Sequence, residues 1–226
     1  MTARRLAIIG HGKMGRAIEQ LAIERGWTVV GVVGRGSAVP LADVAIEFTE
    51  PSEAVGSIRR SLDAGVPVVS GTTGWYDKLP EVSADVARAK GALLWAPNFS
   101  VGAHIFRRMV EDASRRMASA SQFDAHIIEA HHAAKRDAPS GTAAALATAA
   151  EKALGRPVPI TSIRTGSIPG THEILYDAPF EQLRLEHLVR DRRVFAAGAL
   201  VAAEWLIGKT GVFTLDDVLT NERGPA

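Results

Sequence analysis

Leu6-Ala7-Ile8-Ile9-Gly10-His11-Gly12-Lys13-Met14-Gly15 is the stretch from which the fold can be read. Four apolar residues form a run that suits a buried strand. Glycines spaced G-x-G-x-x-G follow at once, and Arg16 to Arg25 then reads as a helix. Alone the hexapeptide is a weak signal. Between a strand and a helix it has the context of a dinucleotide fingerprint. There the first glycine makes a tight turn, the second lets backbone approach a pyrophosphate, and the third lets helix pack on strand. The alternative is a glycine turn in some other α/β unit. Gly10, Gly12, Lys13, Met14 and Gly15 are therefore candidate cofactor residues.

Moving outward, Trp27 to Val33 reads as a second strand. A site preferring NADH would place an acidic residue at its end, on the adenosine ribose. Gly34-Arg35-Gly36 stands there instead. Arg35 suits a 2′-phosphate, with Lys13 assisting, which favours NADPH while leaving NADH possible. Only Ser37 to Asp43 leads to the next strand, Val44 to Phe48, too short a link for a crossover helix. A helix capped by Ser52 runs to about Ala64. Strand Val66–Val69, helix Leu79–Ala89 and strand Ala92–Trp95 follow. This βα alternation implies a parallel sheet, and ligands gather at the carboxyl ends of such strands. Phe48-Thr49, Gly71-Thr72-Thr73 and Ala96-Pro97-Asn98-Phe99 all fall there and join the cofactor candidates, as does Arg192. Each loop, taken singly, could equally be a turn.

From Val101 the pattern changes. Val101 to Met117 reads as a long amphipathic helix and Phe123 to Glu129 as a strand. The strand delivers Glu129-Ala130-His131-His132-Ala133-Ala134-Lys135-Arg136-Asp137-Ala138-Pro139-Ser140-Gly141-Thr142. Two histidines and a lysine lie beside a helix start. Pro139 disfavours helix at the residue before it, Ser140 suits an N-cap, and Thr142 to Leu154 is rich in alanine. Backbone N–H groups of Gly141 and Thr142 at that start would form an anion cradle. A proton donor, a cation and an anion site side by side suit a small acidic substrate that is protonated during reaction. Neighbouring histidines on a strand point to opposite faces and chelate one metal ion poorly, so no metal is expected. Ile160–Thr165, Glu173–Tyr176 and Gln182–Val189 read as strands of a mostly antiparallel sheet, followed by an apolar helix from Phe195 to Ile207. The last piece, Thr214 to Leu219, is expected to return to the first domain.

The chain has 226 residues, room for one large domain or two small ones, and 46% of them are hydrophobic, enough for a well-formed core. Its net charge of +1 calls for no nucleic acid or anionic membrane, and without cysteine there is no disulfide or thiolate chemistry. No apolar run reaches the length of a membrane span, and no signal peptide is read at the N-terminus. A cytoplasmic protein is expected.

These motifs together resemble the 4-hydroxy-tetrahydrodipicolinate reductase (dihydrodipicolinate reductase) family of the diaminopimelate route to lysine. The resemblance rests on Gly10 to Gly15, Gly71-Thr72-Thr73-Gly74, Ala96 to Gly102 and, above all, Glu129 to Thr142. Arg164, Gly166, Gly170 and His172 continue it, as do Phe195, Ala196 and Gly198. The resemblance implies an NAD(P)H-dependent oxidoreductase with His131 as general acid and Lys135 assisting protonation and holding substrate. His132, Ser140, Gly141, Thr142 and Thr73 would hold the substrate, a cyclic imine dicarboxylate. A homotetramer built through the second-domain sheets is implied as well. The expected fold is a Rossmann-like parallel-sheet dinucleotide domain, residues 1–100 and 196–226. An α+β substrate and oligomerisation domain of residues 101–195 completes it. Two rivals remain at this point. A dehydrogenase of the aspartate or homoserine type would not need the His-His-Lys cluster. A non-catalytic NADPH-sensing protein could lose His131 and Lys135.

Overall fold

The computed structural model describes residues 3–220, so the parts of the expected first domain at 1–2 and 221–226 lie outside the described residues. The chain divides into two compact units, residues 1–100 with 193–226 and residues 101–192. The second junction falls at the first residue of a helix, three residues before the expected boundary at 196.

In the first unit, β1 (Arg5–Ile9), α1 (Lys13–Glu24), β2 (Thr28–Val33), β3 (Val44–Glu47), α2 (Pro51–Asp63), β4 (Val68–Ser70), α3 (Leu79–Ala89) and β5 (Ala92–Trp95) follow one another. The chain leaves for the second unit and returns as α6 (Arg193–Leu206), β10 (Gly211–Thr214) and α7 (Leu215–Thr220). The six strands are all parallel, in the order β10-β5-β4-β3-β1-β2. Alternate strand residues face opposite ways, and both faces are buried. Leu6, Ile8, Ile46 and Leu94 pack with α1, α6 and α7, whereas Ala7, Ile9, Ala45 and Leu93 pack with α2 and α3. The first crossover runs from β1 to β2, and the chain then returns to place β3 on the other side of β1. The order thus reverses between β1 and β3, which is where this architecture places a ligand. Two sequence expectations are corrected. Ser52 does not cap α2: the N-cap is Glu50, because Pro51 has a fixed helical φ and no N–H to satisfy, which suits the first helical position. The first helix starts at Lys13, directly on the glycine loop. Thr214 ends the edge strand β10, which pairs with β5.

The second unit comprises α4 (Val101–Met117), β6 (Asp124–His131), α5 (Gly141–Leu154), β7 (Ile160–Arg164), β8 (Thr171–Ala178) and β9 (Glu181–Leu188). Its sheet runs β7-β6-β8-β9, with β6 parallel to β7 and the other two pairs antiparallel. One face is covered by α4 and α5, whose Phe106, Val110 and Leu146 pack with Ile127, Ile174 and Tyr176 of the sheet. Register puts three layers on that face: Ala125-Tyr176-Leu183, Ile160-Ile127-Ile174-Leu185, and Ser162-Glu129-His172-His187. The first two are largely apolar and the third is polar. No helix among the described residues is long and apolar enough to cross a membrane.

Candidate active site

The strand ends of the first unit form one edge. Gly10 N–H donates to Val33 O (2.9 Å), Phe48 N–H to Ile9 O (2.9 Å), Gly71 N–H to Glu47 O (2.9 Å) and Ala96 N–H to Ser70 O (3.3 Å). These bonds bring together the loops that hold Gly10 to Gly15, Phe48-Thr49, Gly71 to Thr73 and Ala96 to Phe99. A Cβ on Gly10 would stand 2.1 Å from Phe48 O, and one on Gly15 would stand 2.0 Å from Gly10 O. Both glycines are therefore demanded by close approach of backbone. At Gly12, the N-cap of α1, a Cβ would meet nothing within 4 Å. Gly12 leaves room at a helix N-terminus, as a pyrophosphate requires, so the loop fits a dinucleotide. Gly71 is needed by its neighbour, since its Cβ would lie 2.1 Å from the Phe48 ring, which meets Phe99 edge-on at 5.9 Å.

Glu47, at the end of β3, holds these loops in a way the sequence reading did not foresee. It is fully buried and accepts from Thr49 N–H (2.9 Å), Thr49 Oγ1 (2.5 Å), Thr72 Oγ1 (2.6 Å) and Ser70 Oγ (2.6 Å). Thr49 N–H also reaches Thr72 Oγ1 at 2.7 Å. The hydroxyls of Thr49 and Thr72 thus serve the loop itself, while Thr73 is exposed. Arg35, after β2, is mostly exposed and pairs with Glu53 of α2 at 2.7 Å. Arg192 is an exposed residue at the end of the second unit.

The second cluster stands on the polar layer of the second sheet. β6 continues two residues past the expected end at Glu129, so Glu129 and His131 face the same way. Glu129 is fully buried. Its Oε2 accepts from His131 Nδ1 in a short hydrogen bond, and its Oε1 accepts from Arg164 Nη2 (2.6 Å) and Ser140 N–H (3.3 Å). Arg164 Nη2 also reaches Asp137 O at 2.6 Å. His172 sets its ring edge-on to His131, centroids 5.1 Å apart, with its Nε2 3.2 Å from Ser140 Oγ. Lys135, largely buried, pairs with Asp137 at 2.8 Å, and its N–H donates to His132 O at 3.0 Å. Ser140 is the N-cap of α5, its hydroxyl accepting from Ala143 N–H at 3.2 Å. Such a cap is worth about 1 kcal/mol. The Ser140 hydroxyl and N–H are thus both engaged inside the protein.

The charges are tuned together. Burial works to raise the Glu129 carboxyl, but the donors Arg164, Ser162 and His131 hold it down to about 2. Burial lowers His131 below its ordinary value, and the cations Lys135 and Arg164 lower it further, against the pull of Glu129. Burial and the neighbouring His131 push His172 down to about 4. Glu129, His131 and His172 each bring one potential ligand atom within 4.8 Å of the others. The Glu129 carboxylate already serves a guanidinium, an imidazole and a backbone N–H. We therefore read the trio as a hydrogen-bonded network. In the sequence, Glu129, Arg164 and His172 stand out only as parts of a motif. The one local signal for them is the two-residue spacing of Glu129 and His131 on a strand.

A parallel sheet with a glycine loop at its switch point, in one chain with an α+β unit bearing a buried Glu-His pair, a lysine and a helix start, defines a two-domain nicotinamide-dependent oxidoreductase. Comparison with known proteins gives the family. Residues 37–99 match the model of the dihydrodipicolinate reductase N-terminus, and residues 102–219 that of its C-terminus. The 4-hydroxy-tetrahydrodipicolinate reductase of Christiangramia forsetii is 33% identical over 96% of this chain and 98% of that protein. That of Xanthomonas euvesicatoria is 36% identical over 97% of this chain and 100% of that protein. A dipicolinate-bound dihydrodipicolinate reductase from Paenisporosarcina sp. TG-14 has the same fold, with a TM-score of 0.78 at 22% identity over 94% of this chain and 98% of that one. The chain belongs to the dihydrodipicolinate reductase family, which decides against a dehydrogenase of the aspartate or homoserine type and against a non-catalytic sensor.

Proposed function

We propose that this protein reduces 4-hydroxy-tetrahydrodipicolinate to tetrahydrodipicolinate in the diaminopimelate route to lysine, in the cytoplasm, with NADPH preferred over NADH. The observation that carries the reading is the second-unit cluster: a buried histidine held by a carboxylate, beside a lysine and the start of a 14-residue helix. The names of substrate and product fix the balance, in which a hydride and a proton enter and water leaves. The nicotinamide supplies the hydride when bound; the chain binds, orients and protonates. Gly12 and the start of α1 accept the pyrophosphate, and the loops at Phe48-Thr49, Gly71 to Thr73 and Ala96 to Phe99 line the nicotinamide side. Lys135 and the N–H groups at the start of α5, with its favourable dipole, accept substrate carboxylates, and His132 and Thr73 help to hold them. His131 donates the proton.

Electrostatics support this division of labour. Around His131, two carboxylates (Glu129 and Asp137) balance two cations (Lys135 and Arg164). An arriving dicarboxylate therefore favours imidazolium, and the acid is charged when substrate is present. The test follows NADPH absorbance with enzymatically generated substrate. His131→Gln keeps the shape and removes the proton, so kcat should fall about 10²–10⁴-fold with KM changed little. Lys135→Ala should raise KM and lower kcat together, since it removes a contact made in both ground and transition states. A His131→Gln enzyme with near wild-type kcat would remove His131 from the mechanism.

The oligomer belongs to the same reading. On the face of the second sheet away from α4 and α5, register aligns Ile163, Ala130, Thr171 and Leu188 in one row across all four strands. Its apolar ends, Ile163 and Leu188, are exposed. A sheet needs cover on both faces when both carry apolar residues, and a homotetramer packed through this face supplies it.

A further inference from the structure

We propose that Glu129 is a positioning residue: its carboxylate fixes His131 as the Nδ1–H tautomer, so that the proton delivered to substrate passes through Nε2. This rests on the reading of His131 as the acid. The two side chains are two residues apart on β6 and share the covered face of the sheet. Glu129 has no exposed surface, and its Oε2 faces His131 Nδ1. A carboxylate only accepts, so Nδ1 carries the hydrogen whether the ring is neutral or charged. The residue beside the opposite nitrogen, just before β8, carries no side chain. Gly170 lies next to His131, and a Cβ there would stand 3.1 Å from Nε2. His172, across the ring edge, is itself tied to Ser140 Oγ, which limits how far the imidazole can tilt.

Glu129 also needs a partner to stay charged in a buried place. Arg164 of β7 supplies it at 2.6 Å. Through its other contact, to Ser140 N–H, the same carboxylate joins the first residue before α5 to the acid. Proton donor and anion cradle are therefore referred to one buried group. The titratable and charged groups around His131 are Glu129 on its own strand, Arg164 on β7, His172 on β8, and Lys135 with Asp137 on the loop before α5. Among the carboxylates only Glu129 bonds to the ring, so its loss leaves the cations Arg164 and Lys135 to act on His131 without that counterweight.

The experiment combines Glu129→Gln and Glu129→Asp with His131→Gln, measuring kcat and KM against pH, and adds ¹⁵N-histidine NMR of the wild-type protein. An acid must be protonated to act, so activity falls as pH rises through the His131 pKa. Removing an adjacent opposite charge lowers a histidine by roughly one unit or more. Glu129→Gln should therefore move the alkaline fall in kcat/KM down by about that much, and kcat should drop at least about tenfold with KM for substrate little changed. Glu129→Asp, which keeps the charge, should restore the position of the limb in part. A Glu129→Gln profile that keeps its position would overturn the proposal, because a purely structural carboxylate would lower activity without moving the limb. NMR guards against a variant that fails to fold: neutral His131 in the wild type should show the hydrogen on Nδ1, and finding it on Nε2 overturns the proposal without any variant. The His131→Gln control separates the two failures. A fully active His131→Gln enzyme sinks the reading of the acid itself, whereas a crippled one beside an unshifted Glu129→Gln sinks only the role of Glu129.

Discussion

Arg35 offers the sharpest test of cofactor choice, because the structure shows what a 2′-phosphate would have to compete with. The guanidinium is held at 2.7 Å by Glu53, with side chains 68% and 22% exposed respectively. An exposed pair of this kind is worth about 0.2–1 kcal/mol, while a charge-assisted contact to phosphate is worth about 1.5–3 kcal/mol. If the pair is given up entirely, a net gain of roughly 0.5–2.8 kcal/mol remains, or about a 2- to 100-fold preference for NADPH over NADH. Arg35→Ala should bring the NADPH dissociation constant up to that of NADH and leave NADH where it was. Glu53→Gln frees the guanidinium and should tighten NADPH by up to about fivefold, the worth of the exposed pair, again without effect on NADH. Fluorescence titration of both cofactors on the three proteins, at low and high salt, reads all of this. Equal constants in the wild type would refute the reasoning, as would an Arg35→Ala variant that weakens the two cofactors alike.

Glu47→Ala leaves four donors around a buried site without their acceptor, at about 1–3 kcal/mol for each group that finds no substitute. The urea midpoint should drop by the equivalent of at least about 2 kcal/mol and both cofactors should bind more weakly, so an unchanged midpoint would show the clamp to be idle. Ile163→Asp with Leu188→Asp places charges in the apolar row of the outer sheet face. Light scattering should then show smaller species than the wild type, and a wild-type protein that is monomeric at micromolar concentration would refute the tetramer. Stability should fall on acidification in two steps. His172 is lowered from 6.5 to about 4, so the stability from its neutral form is full above 6.5 and is lost as pH falls towards 4. Glu129 is lowered from 4.5 to about 2, and its share is full above 4.5 and is lost as pH falls towards 2. Denaturant titrations between pH 7 and 3 check this, and His172→Asn should flatten the slope between 6.5 and 4; an unchanged slope would contradict the assignment.

Much of the first unit could be read directly from the residues. Its central strands are buried on both faces, so they appear as short, largely apolar runs. The helix at Leu79–Ala89 and the strand at Ala92–Trp95 fall where the pattern puts them. Gly211-Val212-Phe213-Thr214 escaped because four residues after a glycine carry little periodic signal. What makes them a strand is pairing with Ala92–Trp95, more than a hundred residues earlier. The reach of β6 was misjudged for a related reason. The strand read from the sequence ends at Glu129, and the last two residues, Ala130-His131, fall beyond it. Hydrogen bonding to β7 and β8 keeps them in the sheet, and that partner information is not local.

The same limit separates what could be read of the site from what could not. His131, Lys135 and Ser140 lie within ten residues of each other, so their types and spacing were enough to suggest acid, cation and cradle. Arg164 and His172 lie 35 (164 − 129) and 43 (172 − 129) residues after Glu129, and only sheet register puts them against it. The register also accounts for why a carboxylate is tolerated there. A buried ion left unpaired costs several kcal/mol, yet Ser162, Glu129, His172 and His187 form one layer, beside layers that are largely apolar. Arg164 closes one end of that layer with a charge and Ser140 N–H adds a backbone donor. That polar layer lies near the end of β6 from which the chain runs to α5. The proton donor and the helix start consequently meet at one buried carboxylate, and changing Glu129 should alter the His131 tautomer, whereas changing Lys135 should leave it as it is.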